Sequence, residues 1–310
     1  MGFDSDSSGI AASIFLALYI VYFAFTLAIV IKKGIKSVYS MLLLFGVFRV
    51  VGQMSAVIFA KLGAKHWQWL IVYLVFSAEG YFVLVLTTFR FLTIAQKRRH
   101  GTSWIRPTDE EVARRRAGAT SLWGRYKACS LSKNFHSVLI PANVFLVAGG
   151  SMLAGIDVNQ IEKEHSKVTT SKGLRTAGQA IFLAETFVTI WLLLYCMIKE
   201  DVRDHTTYLI ALASPFLIVR GVAGVLAIYI NQMNYYDMRN YTSEGLSPKF
   251  VVYEYTLTAT MEFVAATILI SNYYIESYRI KRGAVYDREE QQDLKEKNSA
   301  DLDTISSESK

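Results

Sequence analysis

Catalytic and cofactor signatures are missing from this chain. It has no Walker A loop, no Gly-x-Ser-x-Gly elbow and no dinucleotide-binding fingerprint. Its five histidines are spread over five different connections or segment ends, without the spacing of a shared metal site. The last apolar segment, 250–275, contains no lysine to which retinal could attach. We therefore predict a non-enzymatic protein with no cofactor and no metal.

Charge is also scarce, and this scarcity decides the class of protein. Only 19% of the 310 residues are charged and 52% are hydrophobic, which is too apolar for an ordinary soluble domain of this length. The net charge of +7 is typical of cytoplasmic loops that face anionic lipid, and we predict no nucleic-acid partner. The sequence predicts an integral, multi-pass membrane protein of the plasma membrane or an endomembrane.

Long apolar segments are what the chain has instead. Each exceeds the ~20 residues that a helix needs to cross a bilayer, and none shows the alternation of a membrane β-strand. The segments are 10–31, 37–60, 67–95, 134–156, 174–198, 206–230 and 250–275. We predict an all-α, seven-transmembrane-helix bundle over residues 1–276. The polar remainder, 277–310, is predicted to be a disordered charged cytoplasmic tail.

The distribution of basic residues predicts the orientation. If the N-terminus is outside, 22 of the 33 Lys and Arg residues fall in inner connections and the tail, and 8 in outer connections. The N-glycosylation sequon Asn240-Tyr241-Thr242 then lies in the outer connection 231–249, so Asn240 is a candidate glycosylation site. Cys129 and Cys196 lie on the inner side, where no extracytoplasmic disulfide forms.

The inner connection 96–133 carries ten basic residues. Thr108 and Glu111 form the pattern of a capping box, which predicts a short helix that includes Arg114, Arg115 and Arg116. With Trp123 and Tyr126 further on, the loop could bind anionic lipids of the inner leaflet. The alternative is a solvated helix that only enforces the topology.

Five charged residues lie near the middle of apolar segments: Arg49, Glu79, Glu185, Arg220 and Glu262. A charge at the bilayer centre costs at least about 2.5–3.5 kcal/mol, so it usually faces the bundle interior and pairs there or serves a function. The five occupy similar depths, because a helix rises ~1.5 Å per residue. We therefore expect them to meet.

Two neighbours extend this set, because helical spacing puts Gln53 on the face of Arg49 and Thr258 on the face of Glu262. Two arginines against three glutamates leave one acid without a basic partner. Such a group could belong to a binding site or a proton-responsive switch. The alternative is a permanently paired network that fixes the helix register.

Several short strings resemble a family of fungal seven-helix membrane proteins of unknown function. The most specific is Pro-Phe-Leu-x-x-Arg, residues 215–220, in the sixth segment. The others are 48–52, Gly149-Gly150, 174–178 and 261–263, within a match that spans about 10–275. The resemblance implies a fungal origin and a single seven-helix domain, with no established activity. More distantly, the layout is similar to fungal lipid-translocating, toxin-resistance seven-helix proteins.

Three functional hypotheses follow. The first is a protein that binds a small lipophilic or weakly cationic molecule in a polar cleft lined by the buried charges. In one version of this hypothesis the protein also translocates that molecule. Its partners would be the ligand and membrane lipid. The second is a receptor-like sensor that signals through the basic loop 96–133 and the tail. The third is a structural membrane protein with a sealed ion-pair core.

Overall fold

The computed structural model describes residues 6–118, 130–152, 165–242 and 245–282. Within this part of the chain the fold is all-α apart from one short hairpin. The helices are α1 (Asp6–Lys33), α2 (Tyr39–Leu62), α3 (Gln68–His100), α4 (Asp109–Ala117), α5 (Leu131–Ser151), α6 (His165–Lys199), α7 (His205–Tyr229) and α8 (Pro248–Glu254). After α8 the chain makes a π-helical segment, Tyr255–Ala259, and is α-helical again over 260–282.

The chain divides into two compact units, and the boundary falls within this last helical stretch. The first unit ends at Ile270 and the second begins at Ser271. We use α9 for residues 260–270, and residues 271–282 are the described, helical part of the second unit. Residues 277–282 are thus helical where the sequence predicts a disordered tail, and the rest of that tail lies outside the described residues.

Each predicted apolar segment falls largely on helix within the described residues, which leave out 153–156 of the fourth segment. Five of the described helices are long and apolar enough to cross a membrane, namely α1, α2, α3, α6 (from Ser166) and α7. Large apolar side chains cover their outer faces; Trp191 on α6, for example, is 66% exposed. Such a surface is suited to lipid and not to water, which supports an integral membrane protein.

Helix α3 is central to the bundle. It packs against α2, α5, α6 and α7, while α1 packs on α2 and α6 packs on α5 and α7. Its burial follows from its sequence, since Val83 to Phe89 is an unbroken run of residues that are all buried. A polar side chain placed on the inner face of α3 therefore meets several neighbouring helices at once.

The connections contain the remaining short elements. Three 3₁₀ turns lie at Ala64–His66, Asn231–Met233 and Met238–Asn240. Strands β1 (Tyr241–Thr242) and β2 (Gly245–Leu246) pair antiparallel, with Tyr241 opposite Leu246. We call the end of the bundle that carries residues 230–242 and 245–247 the hairpin side, and the end that carries the α6–α7 connection the opposite side.

The predicted capping box at Thr108 is confirmed. The Thr108 hydroxyl accepts a hydrogen bond from the Glu111 backbone N–H, and the Glu111 carboxylate accepts one from the Thr108 backbone N–H. These two bonds satisfy backbone donors that the first turn of α4 leaves open. Trp123 and Tyr126 lie outside the described residues.

Candidate functional site

Three of the five predicted intramembrane charges meet in one cluster. The Glu262 carboxylate on α9 pairs through one oxygen with Nη2 of Arg49 on α2 and through the other with Nε of Arg220 on α7. All three side chains are buried, with exposures of 2% for Arg49, 5% for Arg220 and 0% for Glu262. We call these three residues the buried ion cluster. It holds two cations and one anion.

Arg49 is held by α3 as well as by Glu262. Its Nη1 and Nη2 donate to the hydroxyl and the backbone carbonyl of Ser77, each at 3.1 Å. Gly80, one turn further on, makes this approach possible, because a Cβ there would lie 2.8 Å from Nε of Arg49. The sequence of α3 thus provides both the hydrogen-bond acceptor, Ser77, and the room for the Arg49 side chain, at Gly80.

Arg220 is held differently. Its guanidinium carbon lies 4.7 Å from the centroid of the Tyr81 ring, a cation–π contact. The Tyr81 hydroxyl in turn donates to the carbonyl of Leu217 at 3.2 Å, which fixes the ring against α7. Among the described residues, Glu262 is the one ion-pair and hydrogen-bond partner of Arg220, and the Glu254 carboxylate acts on it only electrostatically, from beyond ion-pair distance. Its terminal nitrogens bind no described acceptor, and the residue lines the cavity described below.

The π-helical segment aligns the acids of the seventh apolar segment. Glu254 and Glu262 are eight residues apart, and in an uninterrupted α-helix they would be rotated by about 80° from each other. The π turn absorbs one extra residue, which reduces this rotation to about 20°. The disturbed carbonyls have partners, since Tyr19 donates to Ala259 O at 3.1 Å and Thr260 donates to Tyr255 O at 2.7 Å.

A cavity of about 130 Å³ lies between the buried ion cluster and the hairpin side. Apolar side chains of α3, α5 and α7 form much of its wall. Its polar lining consists of Ser77, Ser151, Arg175, Gln179, Arg220, Tyr235, Tyr236, Glu254 and Thr258. An engineered cavity of similar size, ~150 Å³, binds benzene, so the space is enough for a small molecule or a small chemical group.

Arg175 closes one side of the cavity, and sequence reasoning missed it because it considered only charges near the middle of apolar segments, whereas Arg175 stands at the start of segment 174–198. Its guanidinium carbon lies 4.2 Å from the Tyr236 ring centroid, and its Nε is buried without a hydrogen-bond partner in the described structure. Gly149 allows this position, because a Cβ there would lie 2.9 Å from Cγ of Arg175. The Tyr236 hydroxyl donates to the carbonyl of Gly150 at 3.2 Å.

Two further polar residues of the cavity were also missed. Glu254 accepts a hydrogen bond from the Tyr73 hydroxyl at 2.7 Å. Gln179 has its Oε1 buried without a described partner, and Gly224 leaves room for it beside Arg220. A signal for Arg175 did exist, because the strings that carry the family resemblance include Arg175, Gly149 and Gly150, and these residues meet at the cavity.

The other two predicted acids do not join the cluster. The Glu79 carboxylate accepts a hydrogen bond from the Asn143 amide between α3 and α5. Glu185 is half-buried on α6, and no described residue pairs with its carboxylate. The excess charge of the cluster is therefore a guanidinium, whereas the sequence predicts an excess acid.

Gln53 and Thr258 lie close to the site, as the sequence predicts. Gln53 Oε1 accepts a hydrogen bond from the Tyr255 hydroxyl at 3.2 Å, and Thr258 lines the cavity. The ligand-binding role of these residues stays a prediction.

Asn240 lies at the hairpin side, but its side chain faces inward. It is only 7% exposed, and its Nδ2 donates to the carbonyls of Asn231 and Asn234. Nδ2 is the atom that a glycan would occupy, so glycosylation would break both bonds of the folded connection. The geometry argues against a glycan at Asn240.

The opposite side carries a polar network that ties α3 to the connection between α6 and α7. Arg98 donates to Asp204 at 3.0 Å, and Gln96 donates to Glu200 at 2.7 Å. Burial alone would raise the pKa of Asp204, but His205 and Arg98 outweigh burial and hold this pKa below its usual value.

No group of three potential metal ligands occurs among the described residues.

Comparison of the chain with protein-family models, curated proteins and solved structures finds no significant match.

Proposed function

We propose that this chain is a non-enzymatic integral membrane protein that binds a small molecule in the cavity between the buried ion cluster and the hairpin side. The observation that carries the proposal is a set of buried polar atoms around this space that have no partner among the described residues, including Nε of Arg175 and Oε1 of Gln179. Buried polar groups normally have a hydrogen-bond partner, so orphaned ones around a cavity favour an occupant. Translocation of the ligand is a further hypothesis of the same class.

The buried ion cluster has a supporting role in this proposal. Glu262 is fully buried and engages both arginines, so it fixes α2, α7 and α9 against one another. Breaking a buried ion pair costs about 3–5 kcal/mol, because a charge is left without a partner. The cluster therefore forms a rigid floor that orients Arg220 toward the cavity.

We also propose that seven helices cross the membrane with the N-terminus outside and the C-terminus in the cytoplasm. Support comes from the excess of Lys and Arg in the connections assigned to the inner side. On this topology the hairpin side is extracytoplasmic, and the cavity lies in the outer half of the bilayer. The ligand would then enter from the outer leaflet or the extracytoplasmic space.

The proposal is tested by filling the cavity and identifying what co-purifies with the protein. Ala227 lines the cavity, so Ala227→Phe should occupy the space that a ligand needs. Val222 lies on the same helix and is exposed, so Val222→Phe adds the same ring at a lipid-facing position. Mass spectrometry of lipids and metabolites should find a species that is retained by the wild type and by Val222→Phe and lost from Ala227→Phe. An identical profile for all three proteins would refute binding in this cavity.

The sealed structural protein is the second candidate, because the buried ion cluster by itself fits that role. Its three side chains are almost inaccessible, and Ser77 satisfies two donors of Arg49. In that case the cavity would hold only water, and Ala227→Phe would change no bound molecule. The receptor-like hypothesis also needs the cavity, and a ligand would have to be known before signalling through residues 96–133 could be examined.

A further inference from the structure

Two guanidinium groups face the cavity, and no described carboxylate lies within ion-pair distance of their Nη nitrogens. Arg220 gives its Nε to Glu262, and its Nη1 and Nη2 bind no described acceptor. Arg175 rests on the Tyr236 ring, which contacts its face and leaves its edge available. The planar edge of a guanidinium is the geometry that binds a carboxylate in a bidentate way.

The balance of charge around the cavity favours an anion. Among the described residues, Arg49, Arg175 and Arg220 face the cavity or its floor against the carboxylates of Glu254 and Glu262. Glu79 is bound by Asn143 between α3 and α5 and does not line the cavity. One positive charge is left over, and in a low-dielectric interior an unpaired charge is costly. A bound anion would neutralise it.

The size and lining of the cavity limit the body of the ligand. The volume of about 130 Å³ is below the ~300–1,000 Å³ of sites for drug-sized molecules. Leu74, Leu146 and Ile228 supply apolar wall beside the polar groups. Such a wall suits a small hydrocarbon or aromatic body.

From these three observations we propose that the cavity binds a carboxylate carried on a small apolar body, with Arg175 and Arg220 as its anion-binding residues. This inference rests on the binding function proposed above and names its ligand class. It replaces the weakly cationic ligand expected from the sequence, because the acid that remains in the cavity, Glu254, is already engaged by Tyr73. The Gln179 amide lies beside Arg220 and can turn its NH₂ group toward the bound oxygen.

The experiment compares three ligands of nearly equal shape: benzoate, benzyl alcohol and benzylamine. Equilibrium binding is measured on the full chain in phosphatidylcholine nanodiscs. Benzoate should bind about tenfold or more tightly than either of the others, as expected for charge-assisted hydrogen bonds to the ligand. Tighter binding of benzylamine would overturn the proposal.

Variants assign the effect to the site. Arg175→Gln should weaken benzoate binding about tenfold and leave benzyl alcohol unaffected. Lys172→Gln is the matched control, because Lys172 lies on the same helix and contacts the Tyr229 ring outside the cavity. Unchanged benzoate affinity in Arg175→Gln would overturn the assignment. If that variant does not fold, Arg175→Lys keeps the charge without the planar fork and should retain only part of the affinity.

The outcomes separate this inference from the binding function on which it rests. If benzoate and benzyl alcohol bind equally and Ala227→Phe abolishes both, the cavity binds small molecules but is not anion-selective. If none of the three binds, or if Ala227→Phe leaves binding intact, both proposals fail. Decanoate distinguishes the source of the carboxylate: benzoate binding without decanoate binding indicates a free small acid, and tighter binding of decanoate indicates a fatty acid from the bilayer.

Discussion

At the scale of single residues, the notable feature is that one glutamate serves two arginines. Glu262 pairs with Arg49 and Arg220 through separate oxygens, so each arginine depends on the same partner. The consequences of substitution are therefore unequal. Loss of the acid leaves two buried guanidinium groups close together, whereas loss of one base leaves a neutral pair.

This inequality makes a prediction about stability. Glu262→Gln should lower the free energy of unfolding by about 3–5 kcal/mol, as for other buried pairs that lose one member. Arg49→Met keeps much of the side-chain volume and should cost clearly less. Thermal unfolding of the purified protein in detergent measures both effects. Glu185→Gln is the control, because no described residue pairs with Glu185, and it should leave the unfolding temperature nearly unchanged.

A larger loss for Arg49→Met than for Glu262→Gln would show that the hydrogen bonds from Arg49 to Ser77 outweigh the charge balance. The double variant Arg220→Leu with Glu262→Leu should not restore stability, because it leaves Arg49 buried and unpaired. Recovery in that double variant would mean that Arg220 is the main partner of Glu262.

At the scale of elements, the π-helical segment Tyr255–Ala259 determines which acids face the cavity. Deletion of Thr256, an exposed residue of this segment, should convert the segment to α-helix. Glu254 and Glu262 would then be seven residues apart in a continuous α-helix, which keeps them within about 20° of each other, so the hydrogen bond from Tyr73 to Glu254 should be retained.

A double-mutant cycle tests whether Glu254 keeps its position beside Tyr73 after the deletion. Tyr73→Phe should cost about 1.5–3 kcal/mol in the wild type, where it removes a hydrogen bond to a carboxylate. The same substitution should cost about as much after Thr256 deletion, because the deletion removes only the residue that the π turn absorbs. A cost near zero after the deletion would show that Glu254 has turned away from Tyr73, and that the π segment does more than absorb one residue.

The start of α7 provides a prediction about pH. Asp204 caps this helix, accepts hydrogen bonds from the His205 backbone and from Arg98, and has a lowered pKa. Because the folded pKa lies below the unfolded value of about 3.9, the stabilising contribution of Asp204 is present above about pH 3.9 and is lost as the pH falls through the folded pKa.

Asp204→Asn should therefore flatten the acid limb of a plot of unfolding temperature against pH. The amide preserves a good N-cap but does not titrate. Asp201→Asn is the matched control, since Asp201 is a neighbouring, more exposed acid that caps no helix. An acid limb that is unchanged in Asp204→Asn would assign the pH dependence to other carboxylates.

At the scale of the whole molecule, the main prediction is the orientation in the membrane. In a variant with Cys129→Ser and Cys196→Ser, a cysteine at Arg239 should react with a membrane-impermeant maleimide added outside intact cells. A cysteine at Lys36 should react only after permeabilisation, because the loop 31–36 is predicted to be cytoplasmic. The reverse labelling pattern would mean that the bundle has the inverted orientation and that the cavity lies in the inner half of the bilayer.

The mass of the protein should show no glycan at Asn240 in either orientation.

The sequence by itself determined the all-α class, the positions of the five described helices that are long and apolar enough to cross a membrane, and the capping box at Thr108. These features depend on local composition and on periodicity along one helix, which a single chain displays directly. Arg49, Arg220 and Glu262 were also recognisable, because a charge in an apolar segment stands out without any knowledge of its neighbours. Their grouping was expected from depth alone.

Only the tertiary structure decided which acid pairs with which base, and which residues form the cavity. Depth along a helix is a property of sequence position, but rotation about the helix axis and the choice of neighbouring helix are not. Glu79 and Glu185 lie at a suitable depth but face other directions. The π segment turns Glu254 toward the cavity, and uniform helical spacing does not predict this rotation. Arg175 joins the site because Gly149 lets α5 and α6 approach closely, and a close approach between two helices exists only after the chain has folded.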